Sequence, residues 1–176
     1  MQIAETNSYC HYVSKLKAND PHRIYHDNFY GKEVHDDDEL FGRLILEINQ
    51  AGLSWTTILH KQDNIKKAYS NFNIKKVSMY SNDDIESLLS NAGIIRNRLK
   101  INAIIFNANK IIKIQKNFGS FYLWLKKFKG RSIEDWVKIF KKNFKFTGPE
   151  ITKEFLISTA FVEGAHVKSC HCYKYK

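Results

Sequence analysis

Apolar residues recur at three- and four-residue intervals along almost the whole chain, and nowhere do they alternate for long. A period near 3.6 places them on one face of a helix, whereas a period of 2 would mark a half-buried strand. Only 8 Gly and 2 Pro punctuate the 176 residues, and no Asn-Gly or Asp-Gly hairpin signal occurs. The chain therefore reads as all-α. Asp36-Asp37-Asp38 supplies an acidic helix start, Leu40, Phe41, Leu44, Ile45 and Ile48 follow at helical spacing, and Gly52 ends the run. Ser54 caps the next helix, about 55–70, with Trp55 in its first turn. Asn82-Asp83-Asp84 opens another, Gly93 breaks it, and a longer helix is expected over about 95–116. Segments 121–128, 133–142 and 152–163 complete the set, while 1–22 is expected as a loop or short helix ending at Asp20-Pro21. With no repeat and no Pro-, Gly- or Ser-rich linker, residues 1–176 read as one unit.

The length suffices for a core without disulfides, and three cysteines are an odd count for a disulfide framework. No apolar run reaches the roughly 18 residues of a membrane span. Met1 to Asn7 lacks the basic start and apolar core of a signal peptide. An intracellular, reducing, cytoplasmic setting is expected. The net charge of +10 is unevenly spread: 96–145 holds 14 basic residues and 2 acids, Glu134 and Asp135. Lys outnumbers Arg 23 to 5, as compositional drift would give, but drift does not remove acids from one stretch. Concentrated positive charge is the footprint of a polyanionic partner. A membrane-surface role would need an amphipathic terminal helix with a strongly apolar face, and neither terminus carries one.

Several clusters could carry chemistry. Glu47 falls beside Leu40, Leu44 and Ala51, at the edge of an apolar stripe. A carboxylate there is either bonded to a backbone group or a nearby Arg, or it lines a pocket. Asn91-Ala92-Gly93-Ile94-Ile95-Arg96-Asn97-Arg98 joins two helices. It is either an ordinary helical hairpin or a phosphate site built on a helix N-terminus. Cys10, His26, His166 and Cys170 form a two-Cys, two-His set that suits tetrahedral zinc, with His171 and Cys172 as substitutes. The same residues also read as free thiols and surface imidazoles. Tyr12, Tyr25 and Trp55 are aromatic faces that could stack on a ligand or simply fill the core.

Three stretches in this order are specific: Tyr25-His26-Asp27-Asn28-Phe29-Tyr30-Gly31, Leu46-Glu47-Ile48-Asn49-Gln50-Ala51-Gly52-Leu53-Ser54-Trp55, and Asn91-Ala92-Gly93-Ile94-Ile95-Arg96-Asn97-Arg98-Leu99-Lys100-Ile101. They resemble the DNA-3-methyladenine glycosylase I family of the bacterial helix-hairpin-helix repair enzymes. Phe144-Lys145-Phe146-Thr147-Gly148-Pro149 and the His-x3-Cys ending resemble it too, so the likeness covers about 10–173. The resemblance implies a monofunctional glycosylase that releases 3-methyladenine from alkylated double-stranded DNA and so opens base-excision repair. It implies a helix-hairpin-helix region at about 83–116. It also implies a structural zinc joining segments of about 10–26 and 166–172 through Cys10, His26, His166 and Cys170. Tyr12, Tyr25, Glu47 and Trp55 would hold the extruded base, with Glu47 catalytic. Asn91, Gly93, Ile95, Arg96, Arg98 and Lys100 would grip the DNA. A monomer at the nucleoid is expected.

Departures from the family pattern fall around the pocket. Tyr12 stands where the family has Trp, and Phe29 and Tyr30 replace an acid and a Trp. Ile48 and Asn49 replace a small residue and Gln, residues 152–155 differ from the family's small or hydroxyl residues, and the loop between Trp124 and Phe144 is shorter. Between Asp84 and Asp135 there is no Asp, so the water-assisting Asp of most of the superfamily is missing, as it is in the resembling family. Two rival readings follow: a glycosylase retuned for another alkylated base, and a catalytically silent, zinc-stapled module that binds damaged DNA.

Overall fold

The computed structural model describes residues 7–173; residues 1–6 and 174–176 lie outside the described residues. Every regular element among the described residues is helical. In chain order they are α1 (Tyr9–Ser14), α2 (Pro21–Asn28), α3 (Asp37–Gln50), α4 (Trp55–Ala68), a short 3₁₀ turn (Ser70–Phe72), α5 (Ile74–Ser78), α6 (Asn82–Ser90), α7 (Arg98–Phe118), α8 (Phe121–Lys126), α9 (Ile133–Asn143) and α10 (Pro149–Ser158). None is long and apolar enough to cross a membrane.

Helix α3 is the axis of the fold. All ten residues from Leu40 to Asn49 are buried, and α4, α7, α8 and α10 pack around them. Its three-Asp start does more than open a helix. Asp36 caps α3 itself, accepting from Glu39 N at 2.8 Å. Asp37 accepts from Gln115 Nε2, Phe121 N and Tyr122 N at 2.7, 2.7 and 2.9 Å, which caps α8 and ties it to α7. Asp38 accepts from Ile74 N and Asn73 Nδ2, each at 2.9 Å, and so fixes the start of α5. Each carboxylate satisfies amides that a helix N-terminus leaves orphaned. Away from α3 the core is aromatic: Phe121, Trp124, Trp136, Phe140, Phe144 and Phe155 interlock with ring separations of 5.3–6.5 Å.

The structure corrects several sequence expectations. Residues 21–28, expected to follow a break, form α2, because Pro21 occupies its first turn and Asp20 caps it. Gly93 does not end α6; the helix stops at Ser90 and Asn91 is its C-cap. The next helix begins at Arg98 rather than 95, since Asn97 caps it by accepting from Lys100 N. The last helix spans Pro149–Ser158, not 152–163, and α5 was not foreseen. Gly52, by contrast, does close α3, with a φ of 78° that other residues resist.

Lys100 departs furthest from its expected role. It lies in the basic stretch and was expected to grip DNA, yet only 5% of it is exposed. Its Nζ donates to Asn49 O at 2.8 Å and Ala51 O at 2.7 Å, the orphan carbonyls at the end of α3. A cation suits that negative dipole end, and burial lowers the pKa of the ammonium. Twelve of the fourteen basic residues in 96–145 are exposed, Lys110 is half-buried, and Lys100 alone turns inward. Replacing Lys100 by Met should therefore lower stability by about 1–3 kcal/mol, the worth of hydrogen bonds from a charged donor. The salt dependence of DNA binding should stay the same. Denaturant unfolding and a salt titration of DNA affinity check both halves; a shallower salt slope would return Lys100 to the phosphate contacts.

Candidate active site and metal centre

The two ends of the chain meet at a cluster of four ligand atoms. Cys10 Sγ lies 3.3 Å from His26 Nε2 and 3.6 Å from His166 Nδ1. Cys170 Sγ lies 3.7 Å from each of the same nitrogens. Tetrahedral zinc with bonds of about 2.3 Å to sulfur and 2.0–2.1 Å to nitrogen sets its ligands about 3.5 Å apart, so the four atoms fit. The remaining ring nitrogens are held as such a site needs. His26 Nδ1 meets Asp27 Oδ1 at 2.7 Å, and His166 Nε2 meets Tyr30 O at 3.0 Å. Burial would raise Asp27, but hydrogen bonds from His26 and Arg23 override it and hold the carboxyl at about 2. Burial also raises the Cys10 thiol to about 11 and lowers His166, so the metal-free thiol stays protonated while the imidazole stays neutral. Gly31 completes the fit: its φ is 67°, and a side chain there would meet Ala165 and the His166 ring. His171 and Cys172 sit on the other side of Asp27, His171 Nε2 at 3.1 Å, and form a second group with His26 and Asp27.

Beside this cluster lies an aromatic enclosure around Glu47. Tyr25 is buried against the edge of Trp55 with centroids 5.0 Å apart. Tyr30 packs on Tyr25 at 5.9 Å and on Tyr9 at 5.5 Å. Tyr9, on α1, hydrogen-bonds His22, with its Oη 3.1 Å from Nδ1. Tyr12, expected to face the base, is instead 49% exposed and packs on Tyr9 and His22 at the rim. The sequence reading missed Tyr9, one residue before the first Cys; nothing local in the sequence separates it from Tyr12.

Glu47 itself is 5% exposed, and no hydrogen bond to its carboxylate forms among the described residues. Burial first, then the Glu154 carboxylate, raise it against the opposing pull of Arg43, to about 8. The Arg43 guanidinium is held elsewhere, by Glu39 Oε1 at 3.3 Å, Phe29 O at 3.4 Å and Tyr25 Oη at 3.5 Å, and over the Tyr25 and Phe29 rings. Of the two readings open for Glu47, a carboxylate satisfied by its neighbours and an acid lining a pocket, the first finds no hydrogen bond among the described residues, only the nearby charge of Arg43. Burial pushes the Tyr25 and Tyr30 hydroxyls above their ordinary range, with Glu47 adding to both, so they stay protonated donors. Asn49 is buried as well, with Nδ2 on Ile45 O at 2.8 Å and Oδ1 without a partner.

The 91–97 turn is braced from within. Asn91 Oδ1 accepts from Gly93 N at 2.8 Å, and Lys61 Nζ donates to Ala92 O at 3.0 Å. Ile95 packs against the core, whereas Arg96 and Arg98 are exposed, Arg98 paired with Glu86 at 2.7 Å. Gly93 N is thus already satisfied by a side chain, and exposed cations at the mouth of α7 are the arginines.

Comparison with known proteins places this geometry. Residues 15–139 match the model of the methyladenine glycosylase family. DNA-3-methyladenine glycosylase 1 of Escherichia coli K12 is 34% identical, over 93% of this chain and 96% of its own. The crystal structure of a 3-methyladenine DNA glycosylase I superposes with a TM-score of 0.82 at 31% identity, covering 91% of this chain and 98% of that one. The Staphylococcus aureus 3-methyladenine DNA glycosylase I, solved for the structural basis of 3-methyladenine recognition, gives a TM-score of 0.82 at 29% identity over 91% and 95%. The all-helical fold, the buried acid among aromatic rings and these matches agree: the chain belongs to the methyladenine glycosylase family.

Proposed function

We propose that the protein is a monofunctional DNA glycosylase that hydrolyses the N-glycosidic bond of 3-methyladenine in alkylated DNA. The observation that carries this reading is Glu47, a buried acid beside the rings of Tyr25 and Tyr30, near Trp55 and Tyr9, with no hydrogen bond to its carboxylate among the described residues. N3-methylated adenine in DNA is cationic and already a good leaving group. The protein must chiefly extrude it, recognise its charge and stabilise the sugar cation that remains. Extrusion costs a few kcal/mol and is cheapest at damaged pairs. Trp55 and Tyr25 offer electron-rich faces to the cation, each worth roughly 0.5–2 kcal/mol. Glu47 accepts hydrogen bonds from the base edge, and its ionised form complements both the cationic base and the oxocarbenium-like sugar. Water is the nucleophile. Among the described residues no Lys pairs with Glu47 to serve a lyase step; the buried Lys100 spends its ammonium on α3 carbonyls.

Asn91, Gly93 and Ile95 shape the 91–97 turn, while Arg96 and Arg98 supply its charge to the DNA backbone. Cys10, His26, His166 and Cys170 hold a structural zinc, whose contribution is to close the chain's ends over α2. A DNA substrate puts the work in the bacterial cytoplasm, at the nucleoid, for an enzyme that acts as a monomer.

The direct test is to incubate the protein with alkylated DNA and identify the released bases by chromatography. Release of 3-methyladenine is expected. Release of another base would favour a pocket retuned by Ile48, Asn49 and Tyr12, and DNA binding without release would favour the silent module.

Glu47→Gln should move activity and stability in opposite directions. Excision should fall on the order of 10²–10³-fold. A folded pKa raised from 4.5 to about 8 gives stability that is present below the unfolded value and lost as pH climbs through 4.5–8. The variant lacks that loss, so it should be more stable than the parent by about 3 kcal/mol at pH 7 and equal to it below pH 4. Unfolding curves at the two pH values check the sign; a variant less stable at pH 7 would give Glu47 a structural role.

Metal analysis should find one zinc per chain, and Cys170→Ser should lower Tm on the order of 10 °C. An unchanged Tm after verified metal loss would remove the zinc from the fold.

A further inference from the structure

Asp27 has two neighbours that the four-ligand cluster does not use. His171 Nε2 lies 3.1 Å from its Oδ1, and Cys172 Sγ lies 3.9 Å from the same oxygen. His26 Nδ1 meets that oxygen at 2.7 Å, and Arg23 Nε donates to Oδ2 at 2.7 Å. The ligand atoms of His26, Asp27, His171 and Cys172 all lie within 4.8 Å of one another. Helix α2 supplies the first two, and the turn closed by Tyr173 N on Cys170 O at 2.9 Å supplies the others. This group is less enclosed than the first cluster. Cys10 and His26 are buried, whereas the His171 side chain is 57% exposed and that of Asp27 is 26% exposed. Asp27, His171 and Cys172 together line a cavity of about 490 Å³, which Lys32 and Glu163 also border.

We propose that Asp27, His171 and Cys172 form a second metal site, which takes one exchangeable divalent transition-metal ion and leaves its fourth position open to the cavity. The separations of 3.1 and 3.9 Å bracket the roughly 3.5 Å that tetrahedral zinc sets between its ligands. One imidazole, one thiolate and one carboxylate suit zinc or cobalt; calcium and magnesium take oxygen ligands in larger number. Three protein ligands and one free position make an open site, in contrast to the closed set of Cys10, His26, His166 and Cys170. Asp27 serves both. One lone pair of Oδ1 accepts from His26 Nδ1, the other faces the second ion, and Arg23 holds Oδ2. His26 keeps Nε2 for the first cluster. The charges also balance: the Cys172 thiolate and the Asp27 carboxylate neutralise a dication, and the proton of the Cys172 thiol leaves to solvent. Because His171 is exposed, the second ion enters and leaves without opening the fold. The protein therefore keeps one zinc on isolation and takes the second ion only when metal is supplied. The site is independent of the glycosylase reading.

The test is a cobalt(II) titration of the protein loaded with one zinc per chain. Zinc has no d–d or charge-transfer band in the visible and near ultraviolet, so cobalt alone is read. A thiolate-to-cobalt absorption band should grow and saturate at one cobalt per chain, with the zinc retained. Cys172→Ser should lose the band. His171→Ala should need at least about 10-fold more cobalt, the loss that even an outer partner of a metal site causes. Both variants should keep their zinc and the parental Tm before cobalt is added. Zinc released as cobalt binds would mean that cobalt enters the first cluster, and a lower Tm or lost zinc in either variant would mean that His171 or Cys172 serves that cluster. A band that survives in Cys172→Ser would come from another thiolate. Each of these results, like the absence of cobalt uptake, would overturn the proposal.

Discussion

One buried helix carrying one unsatisfied acid sets the terms for the rest of the molecule. Helix α3 is enclosed along Leu40 to Asn49, and Glu47 sits in that enclosed run with no hydrogen bond to its carboxylate among the described residues. Such a carboxylate is costly, and it destabilises the fold at neutral pH rather than supporting it. The cost stays tolerable because the helix is fixed at both ends by other parts of the chain. Asp37 and Asp38 bind α8 and α5 to its first turn, and Lys100 binds its last carbonyls. The Lys100 contacts also couple helix α7 to the turn that delivers Trp55. A cation that composition assigns to the DNA surface is thereby a structural strut between α7 and the end of α3.

The four-ligand cluster and the aromatic enclosure stand on the same elements. His26 and Tyr25 are neighbours on α2, Cys10 and Tyr9 are neighbours on α1, and the Tyr30 carbonyl orients His166. Gly31 N donates to Ser158 O at 3.0 Å, which joins the same turn to the end of α10. The imidazoles of the cluster are also ring partners of Tyr9 and Tyr30, with centroids 5.6–6.5 Å apart. A ligand set that held only the thiols, without Asp27 and the Tyr30 carbonyl behind the imidazoles, would leave those rings free to turn.

Helical class, the Glu47 stripe, the two-Cys, two-His set and the basic stretch were all legible in the sequence because each is a local pattern or a residue type with few uses. What escaped it needed long-range information. Tyr12 and Tyr9 flank Cys10 closely, and only the direction of α1 decides which ring faces inward. Lys100 has the composition of its exposed neighbours, and its burial follows from where α3 happens to end. Helix boundaries near Gly93 shifted because Asn91 and Asn97 supply the caps, and an Asn in a loop announces no side-chain bond in advance.

The departures from the family pattern become intelligible as a set once the enclosure is seen whole. Phe29, in place of an acid, gives Arg43 a ring to lie against, and Phe29 O accepts from the same guanidinium. An acid there would have drawn Arg43 toward itself through charge alone. Instead Arg43 stays between Glu39 and the rings of Tyr25 and Phe29, near enough to lower Glu47 but not bonded to it. Tyr30, in place of a Trp, packs its ring on Tyr25 and Tyr9. Both replacements keep rings beside Tyr25, at 6.4 Å for Phe29 and 5.9 Å for Tyr30, and leave Trp55 and the acid itself in place.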